Sequence, residues 1–401
     1  MPSSLTLDVL PSDPLLSLMA AFRMDERPDK VDLGVGVYRD EHGQTPIMRA
    51  VKRAEQELLI SERTKVYEGP AGNQEFCEAI ERLVFGSKRQ SFENRTTTMT
   101  TPGGCGALFL ALQLMKRSPQ NARCWVSEPT WPNHIGMAQS LGLEIKTYRY
   151  AAGMTPVVHF EQMLDDLDAA RAGDIIIVQG PCHNPTGIDL SPEQWVILAD
   201  RLETKGVIPL IDIAYHGLGA GLDTDMDGVL AALDRLALAC VSYSCSKNFG
   251  LYRERTGCLI TICPNRSSHA AISSHLNDIA RSCYSMPPAH GAAIVQTILS
   301  MNEFRKEWEI ELSEMRGRIS ALRSNLALAL TEVTGDRRFG AIEAQKGMFS
   351  QVPLNADHAA KLTADHAIYL PASGRINIAG MNADQVSQVA VQLGQALMDK
   401  S

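Results

Sequence analysis

The stretch from Asp174 to His216, DIIIVQGPCHNPTGIDLSPEQWVILADRLETKGVIPLIDIAYH, contains one complete strand–helix–strand unit. Apolar runs at 174–179 and 207–213 predict two buried strands, because strands that are covered on both faces carry continuous apolar sequence. The predicted helix between them, 191–205, opens on Ser-Pro-Glu, which is typical of a capped helix start with proline in the first turn. This unit therefore predicts an α/β fold with a mostly parallel sheet between helices.

The same alternation extends along the chain in both directions. Further strands are predicted at 123–127, 144–150, 237–244 and 258–263, and further helices at 46–60 and 105–117. After residue 289 the pattern changes to a long charged helix, 303–332, two short strands near 348–352 and 375–378, and a closing helix from 383. We therefore predict a large domain over residues 46–309. A smaller α+β domain would combine residues 310–401 with an N-terminal arm, 1–45, that contains a short strand at 31–38.

The composition is that of a soluble globular protein, with 45% hydrophobic and 21% charged residues among 401. The net charge of −8 argues against the basic face that nucleic acid requires, so we expect no nucleic-acid partner. No run approaches the roughly 20 apolar residues of a membrane span, and residues 1–10 lack the pattern of a signal peptide. Nine scattered cysteines without paired metal-ligand spacing predict reduced thiols, no metal site and a cytoplasmic location.

A lysine follows the predicted strand 237–244, in the sequence SYSCSKNFGLYRER, where Lys247 precedes Arg255 by eight residues. Ligands of open α/β sheets bind at the carboxyl ends of strands, and a lysine there can form a Schiff base with an aldehyde cofactor. The planar guanidinium of Arg255 suits a phosphate, and Ser242 and Ser244 add hydroxyl donors. On these residues alone, a surface lysine and a surface arginine remain the alternative.

A glycine-rich turn, TPGGCG, opens the predicted helix that follows Gly103 and Gly104. Glycines let the backbone approach a ligand closely, and the first turn of a helix offers free N–H groups to an anion. The turn therefore predicts a phosphate cup, although a purely structural turn has the same pattern.

A carboxylate, Asp212, lies at the end of the apolar run 207–213. A buried carboxylate needs a charged or hydrogen-bonded partner, and a protonated pyridine nitrogen would supply one. Asn184 and Tyr215, which follow neighbouring strands, could both donate to a phenolate oxygen on such a ring. The alternative is that Asp212 caps a helix and that the Asn-Pro-Thr-Gly segment is only a turn.

With these motifs in place, the chain resembles the class I pyridoxal-phosphate-dependent aminotransferases, in the aspartate and aromatic amino acid group. The likeness covers essentially the whole chain, from GVGVYRD at 34–40 to SGRINIAG at 373–380. The most specific motifs are SKNFGLYRERTG at 246–257, CHNPTG at 182–187, WPNH at 131–134, YSMPPAHG at 284–291 and GMFS at 347–350. The resemblance implies the pyridoxal-phosphate (PLP) transferase fold type I, with a mostly parallel seven-stranded sheet between helices and a smaller α+β domain.

The resemblance also implies a role for each motif residue. Lys247 would be the Schiff-base lysine and proton shuttle, Asp212 would pair with the pyridinium, and Tyr215 would donate to the phenolate oxygen together with Asn184. The remaining implied contacts to the cofactor are Trp131 on the ring face, His134 behind Asp212, and Gly103, Gly104, Cys105, Ser244, Arg255 and Tyr67 at the phosphate.

For the substrate, the resemblance implies two arginines. Arg375 would bind the α-carboxylate with Asn184 and the backbone at Gly36, and Arg281 would bind the distal carboxylate of aspartate or glutamate. Trp131 would also contact the substrate. Arg281 and Tyr67 would come from the neighbouring subunit, so the resemblance implies a homodimer with shared active sites. The family also leads us to expect two cis peptide bonds, Glu128–Pro129 and Asn184–Pro185.

Several positions depart from the family pattern. Val66, Cys105 and Met286 replace polar residues, and Arg39 stands where aspartate-specific members have a lysine. Because apolar walls favour aromatic side chains, we expect transfer of the amino group from aromatic amino acids, aspartate or both to 2-oxoglutarate, by a ping-pong mechanism.

Three alternatives stay open. The first is a narrow aspartate aminotransferase, and the second is another PLP reaction on the same fold, such as a β-lyase or a decarboxylase. The third is an inactive ligand-binding protein, against which the presence of Lys247 argues. The pair Arg281 and Arg375 favours amino transfer, because both substrates must present carboxylates in turn.

Overall fold

The computed structural model describes residues 7–10, 12–118, 122–152, 154 and 157–398. Residues 1–6, 11 and 399–401, which belong to the predicted arm and the predicted small domain, lie outside the described residues. Within the described ranges, no helix has the length and apolar character needed to cross a membrane.

Strands and helices alternate over most of the chain. The strands are β1 (Val31–Asp32), β2 (Thr96–Pro102), β3 (Arg123–Glu128), β4 (Glu144–Arg149), β5 (Ile175–Gln179), β6 (Ile208–Ile213), β7 (Ala239–Ser244), β8 (Thr256–Ile262), β9 (Phe349–Gln351), β10 (Ile368–Tyr369) and β11 (Arg375–Asn377). The helices are α1 (Pro14–Met24), α2 (Arg49–Ser61), α3 (Gln74–Phe85), α4 (Arg89–Phe92), α5 (Gly103–Lys116), α6 (Pro132–Ser140), α7 (Phe160–Leu167), α8 (Pro192–Lys205), α9 (Leu222–Leu233), α10 (Arg266–Cys283), α11 (His290–Ser300), α12 (Asn302–Thr334), α13 (Ala356–His366) and α14 (Val386–Met398).

A seven-stranded sheet forms the centre of the protein, in the order β2-β8-β7-β6-β5-β3-β4. Its strands run parallel except β8, which is antiparallel to both β2 and β7. Alternate residues of β5 join different cores: Ile175 and Ile177 pack in the cluster of α5, and Ile176 and Val178 in the cluster of α8. Because neighbouring side chains of a strand point to opposite faces, both faces of the sheet are covered. The predicted fold class is confirmed.

Two local predictions need correction. The strand predicted over 31–38 ends after Asp32, because the Asp32 carboxylate accepts the N–H groups of Gly34 and Val35 and turns the chain away from β10. The edge strand β2 was not predicted, since its sequence, TTTMTTP, carries threonines instead of an apolar run. An edge strand has one neighbour, and its sequence signal is weaker.

The C-terminal part, together with β1 from the N-terminal arm, contains two small sheets, parallel β1–β10 and antiparallel β9–β11, and the 33-residue helix α12. The predicted division at residues 309 and 310 would fall inside α12. The two-domain division stays a prediction, whereas the α+β character of this part is observed.

Candidate active site

A cavity of about 260 Å³ lies where the carboxyl ends of β5, β6 and β7 meet the first turn of α5. The predicted site residues that line it are Gly36, Gly104, Cys105, Trp131, Asn184, Asp212, Tyr215, Ser244, Lys247, Arg255 and Arg375. Residues spread over 340 positions of sequence thus meet because parallel strands end at one edge of the sheet.

Lys247 and Tyr215 both line the cavity, and the lysine Nζ lies over the tyrosine ring, 5.2 Å from its centroid. Burial lowers the pKa of the Lys247 ammonium, although the charge of Asp212 opposes this shift. A lower pKa makes the neutral, nucleophilic amine more accessible. Burial also raises the pKa of Tyr215, so that its hydroxyl stays protonated and can act as a donor.

Asp212 is nearly buried and is held by two side chains. His134 Nε2 lies 3.1 Å from Oδ2, and the Ser242 hydroxyl donates to Oδ1 at 3.1 Å. The Thr130 hydroxyl lies 2.9 Å from the other ring nitrogen of His134 and fixes the imidazole. Neither direct partner is a lysine or an arginine, so the carboxylate suits an additional cationic N–H, such as that of a pyridinium. Ser242 was expected among the phosphate donors; instead it bonds Asp212, its neighbour in register on β6.

The first turn of α5 forms the predicted cup. No side chain caps this helix, so its first N–H groups are free to bind an anion. A Cβ on Gly103 would lie 2.7 Å from Arg255 Nη2, and a Cβ on Gly104 would lie 3.0 Å from the Ser244 Cβ. Glycine is therefore needed for the guanidinium and the hydroxyl to approach the turn, and the three kinds of donor together fit a phosphate.

Cys105, on the same turn, lines the cavity with a thiol. The nearest donor to its sulfur is Asn133 Nδ2, at 3.8 Å. A thiol is a weak hydrogen-bond donor, so this position contributes apolar surface more than it contributes a phosphate contact.

Arg375 is 8% exposed and points into the cavity from β11. Its guanidinium donates to Asn184 Oδ1 at 3.2 Å and to the Gly34 carbonyl at 2.6 Å, and it lies 4.5 Å from the centroid of Phe349. Within the described residues its Nε is buried without a hydrogen-bond partner. Burial lowers the pKa of this arginine. A buried cation with neutral direct partners fits a substrate carboxylate.

Tyr67, Val66, Arg281 and Met286 are among the predicted or singled-out residues that do not line this cavity within one chain. Tyr67 is 86% exposed and Val66 is 71% exposed. Arg281, near the end of α10, is exposed and donates to the Ser285 hydroxyl at 2.6 Å. Met286 is half-buried and does not line the cavity.

The structure adds six lining residues that sequence reasoning missed: Leu15, Leu108, Gln179, Ala214, Ser246 and Phe349. Leu15, from α1, closes one side of the cavity, and Phe349 lies under the guanidinium described above. Gln179 exchanges two 2.9 Å hydrogen bonds with the backbone of Asn184 and fixes that residue. Phe349 lies in the GMFS motif and Gln179 at the end of β5, so the sequence held a signal for both. Nothing in the sequence around Leu15 indicates its position. The two peptide bonds expected to be cis, before Pro129 and Pro185, are cis.

Comparison with known proteins agrees with this geometry. The model of the family "aminotransferase class I and II" matches residues 28–393. The chain belongs to this family. An aromatic-amino-acid aminotransferase of Paracoccus denitrificans is 43% identical over 378 residues, which cover 94% of this chain and 95% of the relative. An aspartate aminotransferase of Escherichia coli K12 is 42% identical over 380 residues, which cover 94% and 96%.

One similar solved structure contains the cofactor. The aromatic-amino-acid aminotransferase of Burkholderia pseudomallei, covalently bound to pyridoxal phosphate, matches with a TM-score of 0.95 at 34% identity, over 99% of this chain and 100% of that one. This aminotransferase is PLP-dependent, as the sequence predicted. The cavity fits the group, with a glycine cup for its phosphate, Asp212 for its ring nitrogen and the Lys247 amine for its aldehyde.

Proposed function

We propose that this enzyme transfers the amino group of aromatic amino acids and of aspartate to 2-oxoglutarate, with Lys247 as the catalytic acid and base. The observation that carries the proposal is the meeting, in one cavity, of a buried lysine of lowered pKa with the buried Arg375 and the apolar Phe349. The relatives support the substrate range, because some are named for aromatic amino acids and others for aspartate.

Pyridoxal phosphate, when bound, supplies an aldehyde that condenses with amines and a ring that accepts electron density. Lys247 Nζ takes up the proton that the substrate α-carbon releases and returns it in the next step of the exchange. The Asp212 carboxylate, fixed by Ser242 and His134, would hold the ring nitrogen and favour its protonated form. Tyr215 and Asn184 would donate to the phenolate oxygen of the bound cofactor.

Arg375 binds the α-carboxylate and sets the direction of the α-carbon bond that loses its proton. Its position is fixed by Asn184 and by the Gly34 carbonyl, so the substrate is held in a geometry close to that of reaction. Both half-reactions use this contact, because the amino acid and the 2-oxo acid each present a carboxylate at the same place.

The cavity has an apolar wall that includes Leu15, Leu108, Trp131, Ala214 and Phe349. Such a wall favours an aromatic substrate side chain through burial of its surface. Cys105 adds to this wall from the helix start. Of the three substitutions predicted to make the pocket apolar, Cys105 alone acts within one chain, and Val66 and Met286 would act through a partner.

We also propose that the enzyme works as a homodimer with shared sites. An exposed apolar segment supports this: Leu59, Ile60, Val66 and Tyr67 are 69–86% exposed. Exposed apolar patches of this kind are typical of protein interfaces. Nine free cysteines, most of them buried, support the cytoplasmic location that we propose.

The test is a panel of steady-state kcat/KM values for phenylalanine, tyrosine, tryptophan and aspartate, each with 2-oxoglutarate as acceptor. We expect aromatic values within about 10²-fold of the aspartate value, since apolar burial alone discriminates by that much. Aromatic values thousands-fold lower would indicate a narrow aspartate aminotransferase. Release of ammonia or carbon dioxide without formation of glutamate would indicate a β-lyase or a decarboxylase. The Lys247→Ala variant should be inactive, and the Lys146→Ala variant, at a half-buried position on β4 outside the cavity, should match the wild type.

A further inference from the structure

A buried chain of hydrogen bonds lies behind the site, on the side of β7 that faces away from it. Neighbouring side chains of a strand point to opposite faces. Ser244 lines the cavity, so Tyr243 points the other way. There its hydroxyl lies 2.9 Å from His216 Nδ1 and 3.0 Å from Asn248 Nδ2. These three side chains are buried to 1% exposure or less.

The positions of the protons in this chain follow from its last member. His216 Nε2 lies 2.7 Å from the Leu222 carbonyl oxygen, which can only accept. Nε2 therefore carries the proton in the neutral ring, and Nδ1 is the acceptor. The Tyr243 hydroxyl must then donate to Nδ1, and it accepts from the Asn248 amide. All donations run in one direction, from Asn248 to Leu222.

His216 has to be neutral for this arrangement to hold. Burial lowers the pKa of the imidazole, while the Leu222 carbonyl and the carboxylates of Asp225 and Asp223 oppose the shift. Asp225 is itself occupied by the backbone N–H groups of residues 217, 219 and 220. The neutral form therefore has a partner for each ring nitrogen.

The two ends of the chain adjoin the two proposed catalytic side chains. His216 directly follows Tyr215, and Asn248 directly follows Lys247. The Asn248 carbonyl is also fixed, because Trp308 Nε1 donates to it at 2.7 Å. The hydrogen bonds thus join the backbone segments that carry the lysine amine and the tyrosine hydroxyl.

We propose that Tyr243 and His216 are positioning residues for amino transfer, because their hydrogen bonds set the placement of Lys247 relative to Tyr215. This inference rests on the proposed roles of those two residues. Removal of the Tyr243 hydroxyl leaves an Asn248 donor and a His216 acceptor buried without partners. The two backbone segments can then shift, and small displacements at a reacting centre lower rates strongly.

The first test is Tyr243→Phe, with Tyr148→Phe as matched control. Tyr148 is equally buried on β4, at the far edge of the same sheet, and its hydroxyl donates to the Ile177 carbonyl at 2.8 Å. We expect Tyr243→Phe to lower kcat by about tenfold or more with KM within about threefold. In the resting holoenzyme, the pH at which the visible absorbance of the cofactor titrates should move by about half a unit or more. The control should show neither change.

A readout without cofactor separates this inference from the proposed function. The pH dependence of Lys247 acetylation in the cofactor-free enzyme, followed by mass spectrometry, measures the pKa of the amine directly. It should shift in Tyr243→Phe and stay unchanged in Tyr148→Phe, whatever reaction the enzyme catalyses. If Lys247→Ala were to stay active, the proposed function would fail. The acetylation measurement would still test whether Tyr243 sets the placement of Lys247.

A second pair of variants tests the other residue and decides alone if Tyr243→Phe does not fold. In His216→Gln, the amide oxygen can accept from Tyr243 and the amide nitrogen can donate to Leu222, whereas His216→Leu offers neither bond. We expect the glutamine variant to stay within about threefold of the wild-type kcat and the leucine variant to fall about tenfold. Equal kcat values for the two variants overturn the proposal. So does a loss of thermal stability in Tyr243→Phe with kcat and both titrations unchanged.

Discussion

The two arginines predicted to bind the substrate carboxylates have opposite surroundings. Arg375 is buried, and Asn184, Gly34 and Phe349 fix its guanidinium. Arg281 is exposed at the end of α10 and bonds the hydroxyl of Ser285. A rigid, desolvated guanidinium gives affinity and orientation, whereas an exposed one contributes little until another surface covers it. On the proposed roles, one chain would build the site for the carboxylate that all substrates share, and the site for the distal carboxylate would require a second surface.

The largest expected effect comes from the buried arginine, Arg375. Arg375→Leu should lower kcat/KM by about 10²- to 10⁴-fold for aspartate and phenylalanine alike, the cost of removing one member of a desolvated charge pair. Arg375→Lys should recover only part of the loss, because an ammonium lacks the planar fork. Steady-state kinetics with both substrates measure this. A loss confined to one substrate would contradict the assignment.

Arg281→Leu should have a smaller and selective effect. We expect kcat/KM for aspartate to fall by about 10- to 100-fold and the value for phenylalanine to stay within about threefold, since an aromatic ring has no carboxylate for this arginine. Arg266→Leu, an exposed arginine at the start of the same helix, is the control and should leave both values unchanged. An equal fall in kcat/KM for aspartate and phenylalanine would contradict the assignment of Arg281 to the distal carboxylate.

Mixed dimers test where Arg281 acts. Lys247→Ala and Arg281→Leu subunits, each weak with aspartate on its own, should regain activity when they are dissociated and reassembled together. A mixed dimer then has one site with both residues intact, and random pairing would restore about one quarter of the wild-type sites. Activity no higher than the sum of the separate variants would show that Arg281 does not reach a partner's site.

The smallest expected effect concerns the loop after β5, which holds Asn184 beside Arg375. The Asp189 carboxylate accepts the N–H groups of Cys182 and His183 at 2.9 Å each, and burial raises its pKa to about 6. The unfolded chain has an Asp pKa of about 3.9, so the folded state alone holds this proton between the two values. The stability that this group contributes is present below about pH 4 and is lost as the pH rises through about 6.

The Asp189→Asn variant should therefore show a urea midpoint that falls less between pH 4 and 6 than the wild-type midpoint does. Asp168→Asn, at a position with an exposed carboxylate, serves as the control. Parallel curves for Asp189→Asn and the wild type would show that this carboxyl does not titrate in the window.

Much of the fold could be predicted because the decisive signals are local. The apolar runs ending at Gln179 and Ile213 place β5 and β6 to within one residue, and the Ser191 cap places the start of α8. Strand β2 was missed because its threonines do not form an apolar run. The cup, Asp212 and Lys247 could be predicted to meet, since strand ends share one edge of a parallel sheet.

By itself, the sequence determined the class of fold, the family and the residues at the strand ends, because apolar periodicity and motif spacing are written along the chain. Only the tertiary structure decided which side chains meet across strands. In the folded chain, Ser242 bonds Asp212 and Tyr243 bonds His216. Leu15 lines the cavity, and Arg281 is exposed. These contacts depend on register, strand face and helix placement, and such long-range geometry has no signal in any single stretch of sequence.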